Sequence, residues 1–319
     1  MNRNLAKIVI SLIAAGCLIV SSVQARQAGV KVACLISDSL KSTTRTLQGA
    51  QKVIRRNNPD VRFHTFCVSN TETGDLAIVD SVNHIAPILI LTVGSSATRF
   101  AADHFKETPI VFSAVKYPVL SGFVSSTGHP GGNITGASLN IPDDVQFKYF
   151  KRIIPKLRTL GVLYTRNTEA LIPQARVIAQ RLGLDLVPIM VNENKELPAA
   201  LDSLAATVDG IWSVADPNLF NSKSTRYIIT NTLRRQIPFM GFSRNVVESG
   251  ALFSLDFDYK AIGFQAGETA VRIINGEKPG DISVTTTDLI WFHFNEKTAH
   301  HINVKVPDEL VSIAKEVYR

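Results

Sequence analysis

The chain has 319 residues, 45% of them apolar and 19% charged, with a net charge of +7. That composition excludes a disordered chain and leaves room for two domains of modest size. Setting Arg3 and Lys7 aside lowers the charge from +7 to +5, and the other basic residues stand singly or in pairs such as Arg55-Arg56 and Arg234-Arg235. No basic stripe with interleaved aromatics follows from this, so nucleic acid is not an expected partner.

The first 25 residues read as a secretory signal peptide. Arg3 and Lys7 form a positive n-region, residues 8–20 are an apolar run, and Val23-Gln24-Ala25 offers small residues before Arg26. The run is shorter than the ~20 residues of a membrane span, and no later stretch approaches that length. The alternative is lipidation at Cys17, after Ala14-Ala15-Gly16. The mature chain is expected to be exported and to keep only Cys34 and Cys67. Both fall on expected strands, where neighbouring parallel strands give poor bridge geometry, so two buried thiols are expected rather than a disulfide.

The elements follow in order. A strand over 30–36 ends at Ser37-Asp38-Ser39, and a helix over 43–57 carries Leu47, Ala50, Val53 and Ile54 on one face before Asn57-Asn58-Pro59-Asp60 stops it. A strand over 61–68 and a short helix over 76–83 come next. Residues 88–93 are apolar without alternation, the pattern of a strand buried on both faces. Gly94, Ser95 and Ser96 then lead into a helix over 97–105. A strand–turn–helix of this kind brings free backbone N–H groups and the positive end of a helix dipole together, which suits a carboxylate or phosphate. A strand over 109–115, a turn-rich loop over 128–136 and a strand over 134–139 complete the first half.

The second half keeps the rhythm. Helices are expected over 145–154, 172–182, 198–207, 224–235 and 259–275. Strands are expected over 159–164, 184–191 (with Pro188 inside it), 209–214, 238–242 and 251–255. The tail adds a strand over 287–294, a short helix over 295–301 and a last helix over 308–318. Alternating strands and helices imply parallel sheets covered by helices. Two α/β lobes in an exported chain suggest a ligand-closing clamp. In a doubly wound sheet the crevice opens where the loops after the first and third strands diverge, at Ser37-Asp38-Ser39 and Gly94-Ser95-Ser96 in the first lobe.

Gly241-Phe242-Ser243-Arg244-Asn245 lacks the last glycine of a nucleophile elbow. No phosphate loop, dinucleotide fingerprint or His-Glu-x-x-His is present. His293, His300 and His301 lack a supporting carboxylate spacing, so neither a metal nor a cofactor is expected. Asp216 could act as a general acid but suits a turn or a ligand contact better. Asp256 and Asp258 read as a helix cap or as an acceptor for a ligand donor. Tyr117, Tyr164, Phe242 and Phe257 lie near expected strand ends, where aromatics would favour a flat or apolar ligand.

Pro109-Ile110-Val111-Phe112, Gly122-Phe123-Val124 and Pro130-Gly131-Gly132-Asn133-Ile134-Thr135-Gly136 resemble the substrate-binding proteins of ABC transporters, in the group that includes tryptophan- and tyrosine-binding members. Leu160-Gly161-Val162-Leu163-Tyr164, Val208-Asp209-Gly210, Asp258-Tyr259 and Gly263-Phe264-Gln265-Ala266 extend the resemblance over the mature chain. It implies an α/β, bilobed, type I periplasmic-binding fold with two doubly wound parallel sheets. Lobe 1 would take 28–141 with 256–283, and lobe 2 would take 142–255 with 284–319. It also implies a periplasmic, non-enzymatic, monomeric protein that closes on a small molecule by hinge motion and delivers it to an ABC permease in the inner membrane. The alternative partner is a membrane signalling receptor, with the protein acting as a ligand sensor; a hydrolase is a third reading, resting only on cleft carboxylates. One departure stands out: Lys116-Tyr117-Pro118 occupies the place where such proteins usually carry Asp-Pro. The departure weakens the implied amino-acid ligand and admits a more acidic or uncharged one, the expected ligand being an amino acid or another carboxylate. The expected ligand-binding residues are Ser37, Asp38, Gly94, Ser95, Ser96 and Tyr117 from the first lobe. Tyr164, Thr165, Asp216 and Phe242 come from the second, and Asp256 lies near a crossing between lobes.

Overall fold

A computed structural model describes residues 29–68, 72–216, 218–286 and 289–319. The expected signal peptide and Cys17 lie outside these residues, as do Pro217 and Thr287. In chain order the elements are β1 (Lys31–Ile36), α1 (Lys41–Asn57), β2 (Arg62–Cys67), α2 (Glu72–Ile85), β3 (Leu89–Val93), α3 (Ser95–His104), β4 (Ile110–Val115) and β5 (Ile134–Ser138). There follow α4 (Asp143–Ile153), β6 (Thr159–Tyr164), α5 (Ile172–Arg181), β7 (Asp185–Met190), α6 (Leu197–Ala205), β8 (Gly210–Ser213), α7 (Ser222–Arg234), β9 (Phe239–Gly241), α8 (Arg244–Glu248) and β10 (Phe253–Phe257). The chain closes with α9 (Tyr259–Ile274), β11 (Thr285–Thr286), β12 (Ile290–Asn295), α10 (Glu296–His301), α11 (Asp308–Ile313) and β13 (Glu316–Tyr318).

The chain folds as two compact units. One takes the described residues up to Ser138 together with Tyr259–Thr285; the other takes Leu139–Asp258 and Thr286–Arg319. The sheet of the first unit has the order β11-β5-β4-β3-β1-β2. Strands β1 to β5 are parallel. Strand β3 lies inside the sheet with helices on both faces, and all five of its residues are buried, as its unbroken apolar run requires.

Helices α1 and α9 pack closely in this unit because glycines line their contact. A Cβ on Gly49 would stand 2.5 Å from the carbonyl oxygen of Lys260, and one on Gly267 would stand 2.8 Å from that of Ala50. A Cβ on Gly263 would overlap the carbonyl oxygen of Thr46. The chain's return to the first unit is thus held by backbone contact, with Ile262, Ala266 and Ala270 buried on the same helix.

The second sheet has the order β13-β12-β10-β9-β8-β6-β7. Its strands β6 to β10 repeat the order of β1 to β5. Strand β12 departs from the parallel arrangement by pairing antiparallel to β10. Pro188 sits in β7 at an outer edge, where a missing N–H costs no ladder bond on the open side. Aromatic packing under this sheet joins Phe150 to Phe253 and Phe253 to Phe292, with ring centres 5.1 and 6.0 Å apart.

Two expectations need correction. Cys34 is buried but Cys67 is exposed, because β2 is the edge strand and Cys67 is its last residue. The thiols are also out of register: Cys34 lies opposite Thr65, and Cys67 lies opposite Ile36. Burial pushes the Cys34 thiol up to about 12, so it behaves as a small apolar core residue. The last helix stops at Ile313, and Glu316–Tyr318 instead form β13 beside β12. Pairing with a distant strand overrides a sequence that suits a helix equally well.

Candidate functional site

In each unit the strand order reverses at one place. In the first it lies between β1 and β3, so the loops after these strands diverge there. Ser37 follows β1, and its amide donates to the Val93 carbonyl at 3.0 Å. Its hydroxyl oxygen accepts from the Ala97 amide at 2.9 Å, so a side chain from one loop caps the helix that starts in the other. Gly94 has φ of 91°, and a Cβ there would lie 2.5 Å from the Ser37 Oγ. Only glycine suits that position on both counts.

Helix α3 begins at Ser95, two residues earlier than its apolar pattern suggests. Ser95 and Ser96 therefore hold the first two helical positions, and both are exposed. Their amides have no acceptor within the helix by its geometry, while the next two are used by Ser37 and by the Gly94 carbonyl. Thr98 steadies the turn by donating to the Gly94 carbonyl at 2.9 Å and pairing with the Thr92 hydroxyl at 2.7 Å.

Ser95 and Ser96 line a cavity of about 460 Å³ in this unit together with Arg99, Asp103, Ser121 and Phe123. The Arg99 guanidinium lies 4.5 Å from the centre of the Phe123 ring and donates to the Ser121 carbonyl. Arg99 is absent from the residues expected from sequence. Its signal was a cation one helical turn beyond the Gly94-Ser95-Ser96 turn.

Asp38 and Tyr117 border the same strand ends, with different uses. The Asp38 carboxylate accepts from the Leu40 amide at 2.9 Å and the Thr43 hydroxyl at 2.6 Å, organising the start of α1. Tyr117 is half-buried with φ of 49°, and Ala114, at a bulge in β4, has φ of 56°. Two non-glycine residues in the left-handed region at one strand end mark a backbone held there by its surroundings. Lys116, between them, is also half-buried.

In the second unit the reversal lies between β6 and β8. Tyr164 ends β6 and is half-buried, and Thr165 and Thr168 in the following loop are buried. Asp216, in the loop after β8, is only 2% exposed. Its carboxylate accepts from the Thr165 hydroxyl at 2.6 Å, the Thr168 hydroxyl at 2.8 Å and the Asn218 amide at 3.0 Å. The two diverging loops are thus tied by one buried carboxylate, a use that spacing alone did not reveal. Phe242 follows β9 and packs against Phe220, ring centres 5.0 Å apart. Asp256 lies near the end of β10, opposite Trp291 of β12, and accepts from the Phe257 amide at 2.8 Å. The structure therefore gathers Ser37, Asp38, Gly94, Ser95, Ser96 and Tyr117 at the strand ends of one unit. Tyr164, Thr165, Asp216, Phe242 and Asp256 gather at the strand ends of the other.

A family described as ABC transporter substrate-binding protein has a model that matches residues 29–318, and the chain belongs to that family. Among curated relatives it is similar to a tyrosine-binding protein of Clostridioides difficile (strain R20291), 28% identical over 220 residues. That match takes in 68% of this chain and 63% of the relative, so the chain spans less than two thirds of it. Among solved structures it is similar to the ligand-free, open form of a substrate-binding protein with adhesive properties from Clostridium difficile. The TM-score is 0.76 at 22% identity, covering 91% of this chain and 99% of that one. It is also similar to an ABC domain in complex with L-Trp from Streptococcus pneumonia, with a TM-score of 0.67 at 21% identity, covering 91% of this chain and 100% of that one. The fold is that of type I periplasmic binding proteins, with a doubly wound sheet in each unit.

Proposed function

We propose that this protein is the solute-binding component of an ABC importer, exported to the periplasm, and that it takes a small carboxylate, foremost an aromatic amino acid. The observation that carries this reading is the start of α3. Ser95 and Ser96, exposed residues whose amides have no acceptor within the helix, line a cavity with Arg99 at the reversal point of the sheet. Amide donors, a helix dipole and a guanidinium together favour a carboxylate, against the charge of Asp75 and Asp103, which line the same cavity. Tyr117, Tyr164 and Phe242 offer aromatic faces at the strand ends of the two units.

A relative named for tyrosine binding and a structural neighbour solved with L-Trp support an aromatic amino acid. Lys116, half-buried beside Tyr117, suits the anionic end of such a ligand. The chain passes between its units three times, at 138–139, 258–259 and 285–286. Three short crossings suit a hinge that closes the units on a ligand they bind between them. Acting without catalysis as a monomer, the protein would then pass its ligand to a membrane permease.

A thermal-shift panel tests the ligand class. L-tryptophan and L-tyrosine are expected to raise the melting temperature, since a ligand at 100 times its Kd adds about 2.7 kcal/mol. Their amides, which lack the carboxylate, are expected to leave it unchanged. A response to sugars with none to any amino acid would contradict the proposal.

A further inference from the structure

Away from its strand ends, the second unit carries a groove of about 630 Å³ lined by α6, α7 and the turn before α6. Helix α7 contributes Lys223, Arg226, Tyr227 and Arg234, which share one face by their spacing of three, four and seven residues. Lys195 and Pro198 face them from the other side, and among the described residues no carboxylate lines the groove. Tyr227 is 39% exposed, so part of its ring faces the groove.

Among the described residues, several cations of this unit are held in ion pairs, while others, three of the groove included, are not. Arg152 is paired with Glu309, Arg235 with Asp202, Arg244 with Glu316 and Arg319 with Glu296. Lys195 is answered by Glu193 at 2.7 Å. Lys223, Arg226 and Arg234 are exposed, and among the described residues none of the three has an ion-pair partner. From Lys223 to Arg234 the helix runs about 16 Å at 1.5 Å per residue. One small anion cannot span that distance, whereas about five residues of extended peptide can.

We propose that the α6–α7 groove is a docking surface for an acidic segment of a partner protein, one that sets an apolar or aromatic side chain against Tyr227 and Pro198. Carboxylates along the segment meet the three unpaired cations in turn. This surface uses none of the residues assigned to the small-molecule site, so it stands or falls independently of that site. Complementary charge at an exposed rim mainly raises the association rate and makes it depend on salt.

The probe is a fluorescently labelled peptide in which glutamates flank a single phenylalanine, followed by anisotropy with the full chain. Saturable binding that weakens as salt rises is expected. The combined variant Lys223→Ala, Arg226→Ala, Arg234→Ala is expected to weaken it about tenfold, as for three exposed ion pairs. Tyr227→Ala is expected to weaken it separately, in excess of any change in melting temperature. Equal binding by wild type and variants overturns the proposal. So does the absence of peptide binding, with or without binding to phosphatidylglycerol vesicles or inorganic phosphate.

Discussion

At the scale of single residues, the start of α3 depends on two of them. Ser37→Ala removes the acceptor of the Ala97 amide and is expected to cost about 1 kcal/mol, as for a lost helix cap. Gly94→Ala adds a left-handed backbone penalty to a contact at 2.5 Å from Ser37, and is expected to cost about 2 kcal/mol or more. Urea titration of the two variants checks both values and their order. His293 of β12 offers a pH test in the second unit. It is buried opposite Ser254, with Glu316 3.8 Å from its Nδ1, and among the described residues neither its ring nitrogens nor the Ser254 hydroxyl has a hydrogen-bond partner. Burial holds the imidazole below its usual value of 6.5, against the pull of Asp256 and Glu316 and with Arg244 and Lys315 adding to the effect. The unfolded chain therefore binds the proton more readily, and stability is lost as pH falls through the ordinary histidine range. Asp143 acts in the opposite sense. Burial, helped by Asp144, raises its carboxyl to about 6, so the folded state favours the neutral acid and stability is lost as pH rises toward that value. Urea titrations from pH 4 to 8 are expected to show His293→Leu removing the loss on the acid side. Asp143→Asn is expected to raise stability near pH 7.5 and to have little effect near pH 4.

At the scale of elements, two contacts set the positions of the rest. Gly263→Ala forces a Cβ against the Thr46 carbonyl and must part α9 from α1, with an expected cost of more than about 2 kcal/mol. Gly128→Ala, whose added Cβ meets nothing within 4 Å, is the control and is expected to be near neutral. In the second unit, Asp216→Ala leaves the Thr165 and Thr168 hydroxyls and the Asn218 amide without their acceptor, at an expected cost of about 3 kcal/mol. Asp216→Asn keeps one acceptor oxygen and is expected to lose less, a ranking that thermal unfolding can read. The sequence showed the strands of both sheets well because buried parallel strands are written as unbroken apolar runs, as in β3 and β6. Helix α8 escaped notice because five residues are too few for periodicity to register, and β13 because its partner β12 is set only by the fold. The same limit applies to the candidate site. Gly94-Ser95-Ser96 could be read from a local pattern of strand, turn and helix. The tie from Asp216 to Thr165 and Thr168 could not, since it joins residues 48 and 51 positions apart through the register of β6 and β8. Arg99 lay in plain sight, but only the fold brings Phe123 and Ser121 beside it.

At the scale of the molecule, two units with the same strand order, joined by three crossings, carry their candidate binding residues at equivalent strand ends. The first and third crossings are also tied to each other, since the Thr286 hydroxyl donates to the Asn140 carbonyl at 2.9 Å and the Thr285 hydroxyl to that of Gly136 at 3.5 Å. The central claim is that the exposed amides of Ser95 and Ser96 receive the carboxylate of an aromatic amino acid. Isothermal titration of L-tryptophan and L-tyrosine into wild type and Ser95→Asp tests it most directly. An aspartate at the first helical position suits the helix dipole, so the variant is expected to fold while presenting a like charge to the ligand's carboxylate. Binding by wild type is expected, with a loss of at least about tenfold in the variant, one close like-charge contact being worth roughly 1.4 kcal/mol or more. Equal affinity in the two proteins would contradict it.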